Sequence, residues 1–363
     1  MEQLAYGFQA MFSDLIQRCV DAGFSADYPE AGNFVRVPVR GREYWYFEGP
    51  RTKEASSRAR KYVGPVGDPE IDKRVANFKE LKPAYRERRQ LVSALRNVGL
   101  PAPEPFVGEL VDALWRGGLF RLRGVAIGTL AFQTYAGLLG TRFPSAASMT
   151  ADVDFAQFHS ISVSVNDTMD NILDTLRRVD PTFREIPNRA DSRLSSAFIN
   201  SRGFKVEFLT PNTSKDDYSS QPAVMPALGG AAAHPLRFLD FLIYQPVRSV
   251  LLHKAGIALL VPAPERYAIH KLIIATQRRN DENGRSKSRK DVLQASLLIE
   301  AMDLTGQSID LGLAWMEGWN RGPGWRERLS QATPRLSEEH AKMLREAIAT
   351  AKQADQQSAS TVG

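Results

Sequence analysis

Two short segments constrain the chain more than any others: ADVDF at 151–155 and FKVEFL at 204–209 place charged residues at every second position of otherwise apolar runs. Residues two apart on a strand project from the same face. Asp152 and Asp154 therefore point together, with Val153 buried behind them. Glu207 shares its face with Lys205 and Leu209, while Val206 and Phe208 turn the other way. A carboxylate set among apolar strand residues is costly unless something positive meets it. The expected result is a sheet packed by hydrophobes on one face and facing a cation or a basic side chain on the other.

The surrounding pattern supplies the other layers of such a fold. FRLRGVAIG (120–128) reads as a strand and TLAFQTYAGLLG (129–140) as a helix closed by Gly140. NDTMDNILDTLRRV (166–179) reads as a helix capped by Asn166 or Asp167. SSAFIN and FKVEFLT form a strand pair around Ser201-Arg202-Gly203. Upstream, residues 1–23 have helical spacing and 33–64 read as a small antiparallel unit. Glu70 to about Asn97 is a charged helical stretch that Pro83 is expected to bend or divide. The segment 211–235 is a long polar, Gly/Ala-rich connection. Downstream, apolar runs lead into ERYAIHKLIIATQRR, SRKDVLQASLLIEAM and SEEHAKMLREAIATAKQ, all helical in period.

The organisation expected is α+β with an α/β core. Residues 1–100 form an N-terminal helix, small β unit and charged helices, and 101–235 form the core. Residues 236–355 are mainly helical, and 356–363 form a disordered tail.

Composition narrows the chemistry by exclusion. The single cysteine, Cys19, rules out an intrachain disulfide, and with five scattered histidines it cannot build a close-spaced zinc cage. No stretch reaches the ~18 consecutive apolar residues of a membrane span. The N-terminal segment reads as an amphipathic helix and not as a signal peptide, so the cytoplasm is the expected compartment. A net charge of +6 suits a partner bearing phosphates.

Gly128-Thr129 provides the second half of a site. A glycine at a strand-to-helix turn lets backbone approach a phosphate, and the helix start presents free N–H groups and a favourable dipole. The Thr129 hydroxyl can add a hydrogen bond. Three carboxylates on one sheet face suit Mg²⁺, a hard cation that prefers oxygen ligands. Asp-x-Asp by itself is a common accident; its position on a strand, after a Gly-Thr helix start and before an acid in an apolar strand, gives it meaning.

GTLAFQTYAGLLGTRF followed by TADVDF, with the later acid in FKVEFLT, resembles the DNA-polymerase-β-like nucleotidyltransferase superfamily. It is similar in particular to a prokaryotic branch of abortive-infection and toxin-type transferases. In that superfamily a Gly-Ser or Gly-Gly helix start precedes an Asp-x-Asp strand, and a later strand gives a third acid. The resemblance implies a mixed sheet flanked by helices, and transfer of a nucleotidyl group from an NTP with two Mg²⁺ ions, Mn²⁺ being an alternative. It implies Asp152, Asp154 and Glu207 as catalytic and metal-binding acids, and Gly128 and Thr129 at the nucleotide. Lys271 and Lys290 would hold the triphosphate, and Asp291 would orient Lys290 or a substrate group. Arg142 is a further phosphate candidate.

Two departures stand out. Thr129 occupies a place where Ser or Gly is commoner, and the stretch from Gly128 to Asp152 is longer than in the shortest members.

The acceptor expected is a hydroxyl, on RNA such as a tRNA 3′ end or on a protein. The alternative is a non-catalytic nucleotide- or RNA-binding module, or a toxin–antitoxin-type partner on the same scaffold. The aromatic run YWYF (44–47) and the basic runs RTKEASSRARK and RSKSRK read as sheet and solvated loops, and His159 and His270 carry no assigned role.

Overall fold

The chain opens with a two-residue strand β1 (Glu2–Gln3) and an amphipathic helix α1 (Tyr6–Gly23). In this computed structural model the described residues are 1–23, 32–39, 41–48, 60–144, 152–164, 168–188, 191–212 and 221–361. Strands β2 (Asn33–Val39), β3 (Arg42–Glu48) and β4 (Arg60–Pro65) form an antiparallel three-stranded sheet, as their aromatic and β-branched content predicts. Helix α2 (Pro69–Asn97) follows as one element, not divided at Pro83. Helix α3 (Pro105–Arg116) then leads to the central sheet.

That sheet takes in β5 (Val125–Ile127) and β7 (Asp152–Ala156), with helix α4 (Gly128–Leu138) and the short strand β6 (Thr141–Arg142) between them in sequence. It continues through α5 (His159–Ser164), α6 (Ile172–Val179), β8 (Arg184–Pro187), β9 (Ser195–Ile199) and β10 (Lys205–Pro211). Strands β11 (Ala223–Val224) and β12 (Ala232–Leu236) close it. Among the described residues the sheet has seven strands in the order β11-β12-β10-β7-β5, with β9 beside β10 and β8 beside β9. β6 lies outside it, paired with β1. β10 runs parallel to β7 and β12, whereas β5 runs antiparallel to β7 and β9 antiparallel to β10.

The remaining elements are a short helix α7 (Leu239–Leu242), the hairpin β13 (Val247–Leu251) and β14 (Ile257–Val261), and five helices. These are α8 (Pro264–Ala275), α9 (Glu282–Leu304), α10 (Ser308–Asn320), α11 (Pro323–Ala332) and α12 (Glu338–Thr361). Helix α8 packs on α9, α10 and α7, and α7 reaches β10, so the helical half lies directly over the strands that carry the acids. One hydrophobic cluster runs from Leu4 to Ala347. Behind the acids it contains Val153, Phe155, Val206 and Phe208, with the Phe155 and Phe208 rings stacked at 5.8 Å. This is an α+β fold, a mixed sheet flanked by helices. Among the described residues no helix is long and apolar enough to cross a membrane.

Several local expectations differ from the structure. The strand read over 120–128 is confined to Val125–Ile127, because Arg123 takes a left-handed φ of 68° that breaks the extended run. Asn166 and Asp167 lie outside the described residues. The helix they were expected to start begins at Ile172, where the Asn171 side chain accepts from the Asp174 N–H at 3.1 Å. The connection 211–235 contains two strands, a short 3₁₀ turn at Pro226–Leu228, and residues 213–220, which lie outside the described set. The last helix continues to Thr361, so the tail expected to be disordered from 356 is helical over most of its length.

Candidate active site

The acids meet through strand register. In the parallel β7–β10 pair, Lys205 stands opposite Asp152 and Glu207 opposite Asp154. Val153 and Val206, one residue along, are 1% and 0% exposed, which holds the charged side chains on the other face. β5 approaches from the far side of β7 and sets Ile127 against Asp154. The next residue, Gly128, thereby starts α4 beside that carboxylate.

Gly128 has a φ of 62°, and a Cβ there would lie 3.1 Å from Asp154 Oδ2. Both the left-handed backbone and the close approach favour glycine at this turn. No side chain caps the α4 N-terminus, so its first N–H groups are left for another partner.

Asp154, Glu207 and Gly128 border a cavity of about 740 Å³ together with Tyr267, His270, Lys271 and Arg278. The α8 contribution follows helical spacing, since Tyr267, His270, Lys271 and Ile274 fall on one face. Asp152 is exposed and does not border the cavity, whereas Asp154 is half-buried and does. Burial first, then the charges of Asp152 and Glu207, push the Asp154 carboxyl up to about 7. Among the described residues Asp154 has no ion pair and no side-chain hydrogen bond. Glu207 is engaged: Lys205 Nζ donates to its Oε1 at 2.5 Å. That contact raises the Lys205 pKa, with Asp152 and Asp154 adding to it.

The donor set is all oxygen, and the charges of Asp152 and Glu207 crowd Asp154, an arrangement that a divalent cation would relieve. It is not drawn into a closed ligand group: among the described residues no three His, Cys, Asp or Glu side chains are placed to hold a metal ion.

A second layer of contacts ties the helical half to the Gly128 turn. The Tyr267 hydroxyl donates to the Gly128 carbonyl oxygen at 2.8 Å and lies 3.0 Å from Gln294 Oε1. Lys290 Nζ donates to Thr129 Oγ1 at 3.0 Å. Burial, then the nearby Lys271 charge, lowers the Lys290 pKa. Asp291 accepts from Lys271 Nζ and Arg278 Nε, both at 2.7 Å. Burial alone would raise the Asp291 pKa, but Lys271 and Arg278 more than reverse it.

The sequence-predicted residues thus divide. Asp152, Asp154, Glu207, Gly128 and Lys271 share one neighbourhood. Thr129 and Lys290 touch each other, although neither borders the cavity. Asp291, expected to orient Lys290 or a substrate group, accepts from Lys271 and Arg278. Arg142 is placed elsewhere, on the β1–β6 pair, where its guanidinium meets Glu2 at 2.8 Å. It is not among the residues that border the cavity. Tyr267, Arg278 and Gln294 were not singled out. Only the 3.6-residue period through Lys271 could have suggested Tyr267 as a neighbour.

No functionally curated protein matches the chain. A solved structure, described as an antigenic nucleotidyltransferase-like protein from Paracoccidioides brasiliensis, is similar over 63% of this chain and 94% of its own, at 14% identity. Its TM-score of 0.29 is too low to identify a fold. A family model described as nucleotidyltransferase matches residues 106–320, well over half of the sequence and every element that builds the cavity. On the strength of that match the chain belongs to the nucleotidyltransferase family.

Proposed function

We propose that this nucleotidyltransferase moves a nucleotidyl group from an NTP to a hydroxyl acceptor, with Mg²⁺ held by Asp152, Asp154 and Glu207. The observation that carries the reading is the register of Asp154 against Glu207 in a cavity that also contains the glycine-started helix. In the reaction, the acceptor oxygen attacks the α-phosphorus and loses its proton to solvent. The bond to the bridging oxygen of the β-phosphate breaks, and pyrophosphate leaves. When bound, Mg²⁺ supplies charge neutralisation on the phosphates and activation of the attacking oxygen.

The chain's own residues do the rest. The uncapped start of α4 offers N–H groups to a phosphate, and Tyr267 fixes the Gly128 peptide that begins it. Lys271 is held by Asp291 at the cavity wall, where a compact ammonium suits a phosphate oxygen. Lys290 reaches the same turn through Thr129. Incubation with labelled NTPs, Mg²⁺ and total cellular RNA and protein tests the reading: label in RNA or in a protein names the acceptor, and no transfer to either counts against it.

A second reading, a non-catalytic nucleotide-binding partner, is favoured by one observation, the Lys205–Glu207 pair that occupies the third acid. Calorimetry separates the two. Binding of an NTP with no pyrophosphate released supports the second reading.

A further inference from the structure

The cavity extends beyond its acids. Strand residues two apart share a face and lie about 7 Å apart, so Leu209 is the rung after Glu207. Leu209 stands opposite His234 of β12, and Leu236 follows His234 on the same face. All three border the cavity, and α7 and α8 add Leu242, His270 and Ile274. Beyond Glu207 the wall carries a shelf of aliphatic side chains, Leu209, Leu236, Leu242 and Ile274, with His234, Arg237 and His270 also bordering the cavity.

Two features of this shelf are not explained by folding. Leu236 is 37% exposed, a large aliphatic side chain left open beside a concave surface. His270 is 5% exposed, yet its Nε2 has no hydrogen-bond partner among the described residues. Buried polar groups are nearly always paired, and an orphan of this kind asks for a partner. Burial, then the Lys271 charge, lowers the His270 pKa to about 3, so the ring is neutral at pH 7 and offers one donor and one acceptor nitrogen.

We propose that the shelf receives the nucleobase of the NTP, with Leu209, Leu236 and Ile274 packing against the ring and His270 hydrogen-bonding to its edge. The proposal rests on the reading of the acidic end as the nucleotidyl-transfer site. A base is the uncharged, flat part of that substrate, with apolar faces and polar edges. The shelf matches both properties, and it continues directly from the carboxylates that would face the phosphates.

Calorimetry on the full chain with Mg²⁺ provides the test, using tripolyphosphate and α,β-methylene analogues of the four NTPs. The wild type is expected to bind at least one analogue about tenfold more tightly than tripolyphosphate. Leu236→Asn, a neutral polar change at an open position, removes most of that difference and leaves tripolyphosphate binding unchanged. His270→Phe, close in volume, narrows the spread among the four analogues. The proposal is overturned if Leu236→Asn leaves analogue binding intact, or if analogue and tripolyphosphate weaken equally. If neither ligand binds the wild type, the transferase reading itself fails, and the base shelf falls with it.

Discussion

Asp154 of β7 stands directly opposite Glu207 of β10 in parallel register, and both carboxylates face one cavity. With Asp152 two residues away, the crowding and enclosure raise the Asp154 carboxyl to about 7. An unfolded aspartate titrates near 4. Between about 4 and 7 the folded state therefore holds a proton that the unfolded chain has released. This contribution to stability is complete below about 4 and is lost as pH rises toward 7. In EDTA at pH 8, Asp154→Asn should be more stable than the wild type by roughly 2 kcal/mol, and at pH 4 the two should match closely. Thermal melts at the two pH values check this; equal stabilities at pH 8 would show that Asp154 bears no such burden.

If Glu207 holds Mg²⁺ as proposed, Lys205 would compete with the ion for the same oxygen, because Lys205 Nζ sits 2.5 Å from Glu207 Oε1. The pair is partly exposed, with side chains 41% and 33% accessible, so its net strength is modest, on the order of 1 kcal/mol. Lys205→Met should tighten Mn²⁺ binding about fivefold in calorimetry without nucleotide. Unchanged or weaker affinity would mean that the lysine does not hold the third acid back.

The Tyr267 hydroxyl is the strut beneath the Gly128 turn. Tyr267→Phe keeps the ring and its contacts with Phe132 and Tyr135 but leaves the Gly128 carbonyl without this donor. A loss of about 1 kcal/mol in stability and about tenfold in kcat/KM is expected. A variant with full activity would show that the turn holds its shape unaided.

Asp291 is 3% exposed and serves two cations. Asp291→Ala would leave Lys271 buried without its carboxylate, at a cost of about 3–5 kcal/mol. Lys271→Met removes a charge and keeps the volume, and leaves Asp291 with Arg278. Urea unfolding should rank Asp291→Ala well below Lys271→Met; the reverse order would contradict the placement of the network. Since the Asp291 pKa is lowered, its contribution holds above the unfolded carboxylate range and fades as acid protonates it.

Much of the acid site was legible because strand periodicity is local. The alternation in DVDF and KVEFL predicted which side chains share a face, and the two strands pair as that alternation requires. The glycine before Thr129 announced the turn for an equally local reason. What could not be read were contacts that depend on long-range placement. Tyr267 reaches Gly128 across 139 residues, and Arg142 pairs with Glu2 across 140. Asp291 was legible as a charged helix position, but its choice of Lys271 over its neighbour Lys290 is decided by how α8 packs on α9. The expected helix start at 166 failed where Asn171, five residues on, makes the cap instead.

The claim that Asp152 and Asp154 form a working metal site is tested most directly by pyrophosphate release. Wild type, Asp152→Asn and Asp154→Asn should be assayed with each NTP, Mg²⁺ and the acceptor found by labelling, with folding checked by circular dichroism. The account predicts Mg²⁺-dependent release by the wild type and a loss of at least about a thousandfold in both folded variants. Comparable release by either variant would contradict it.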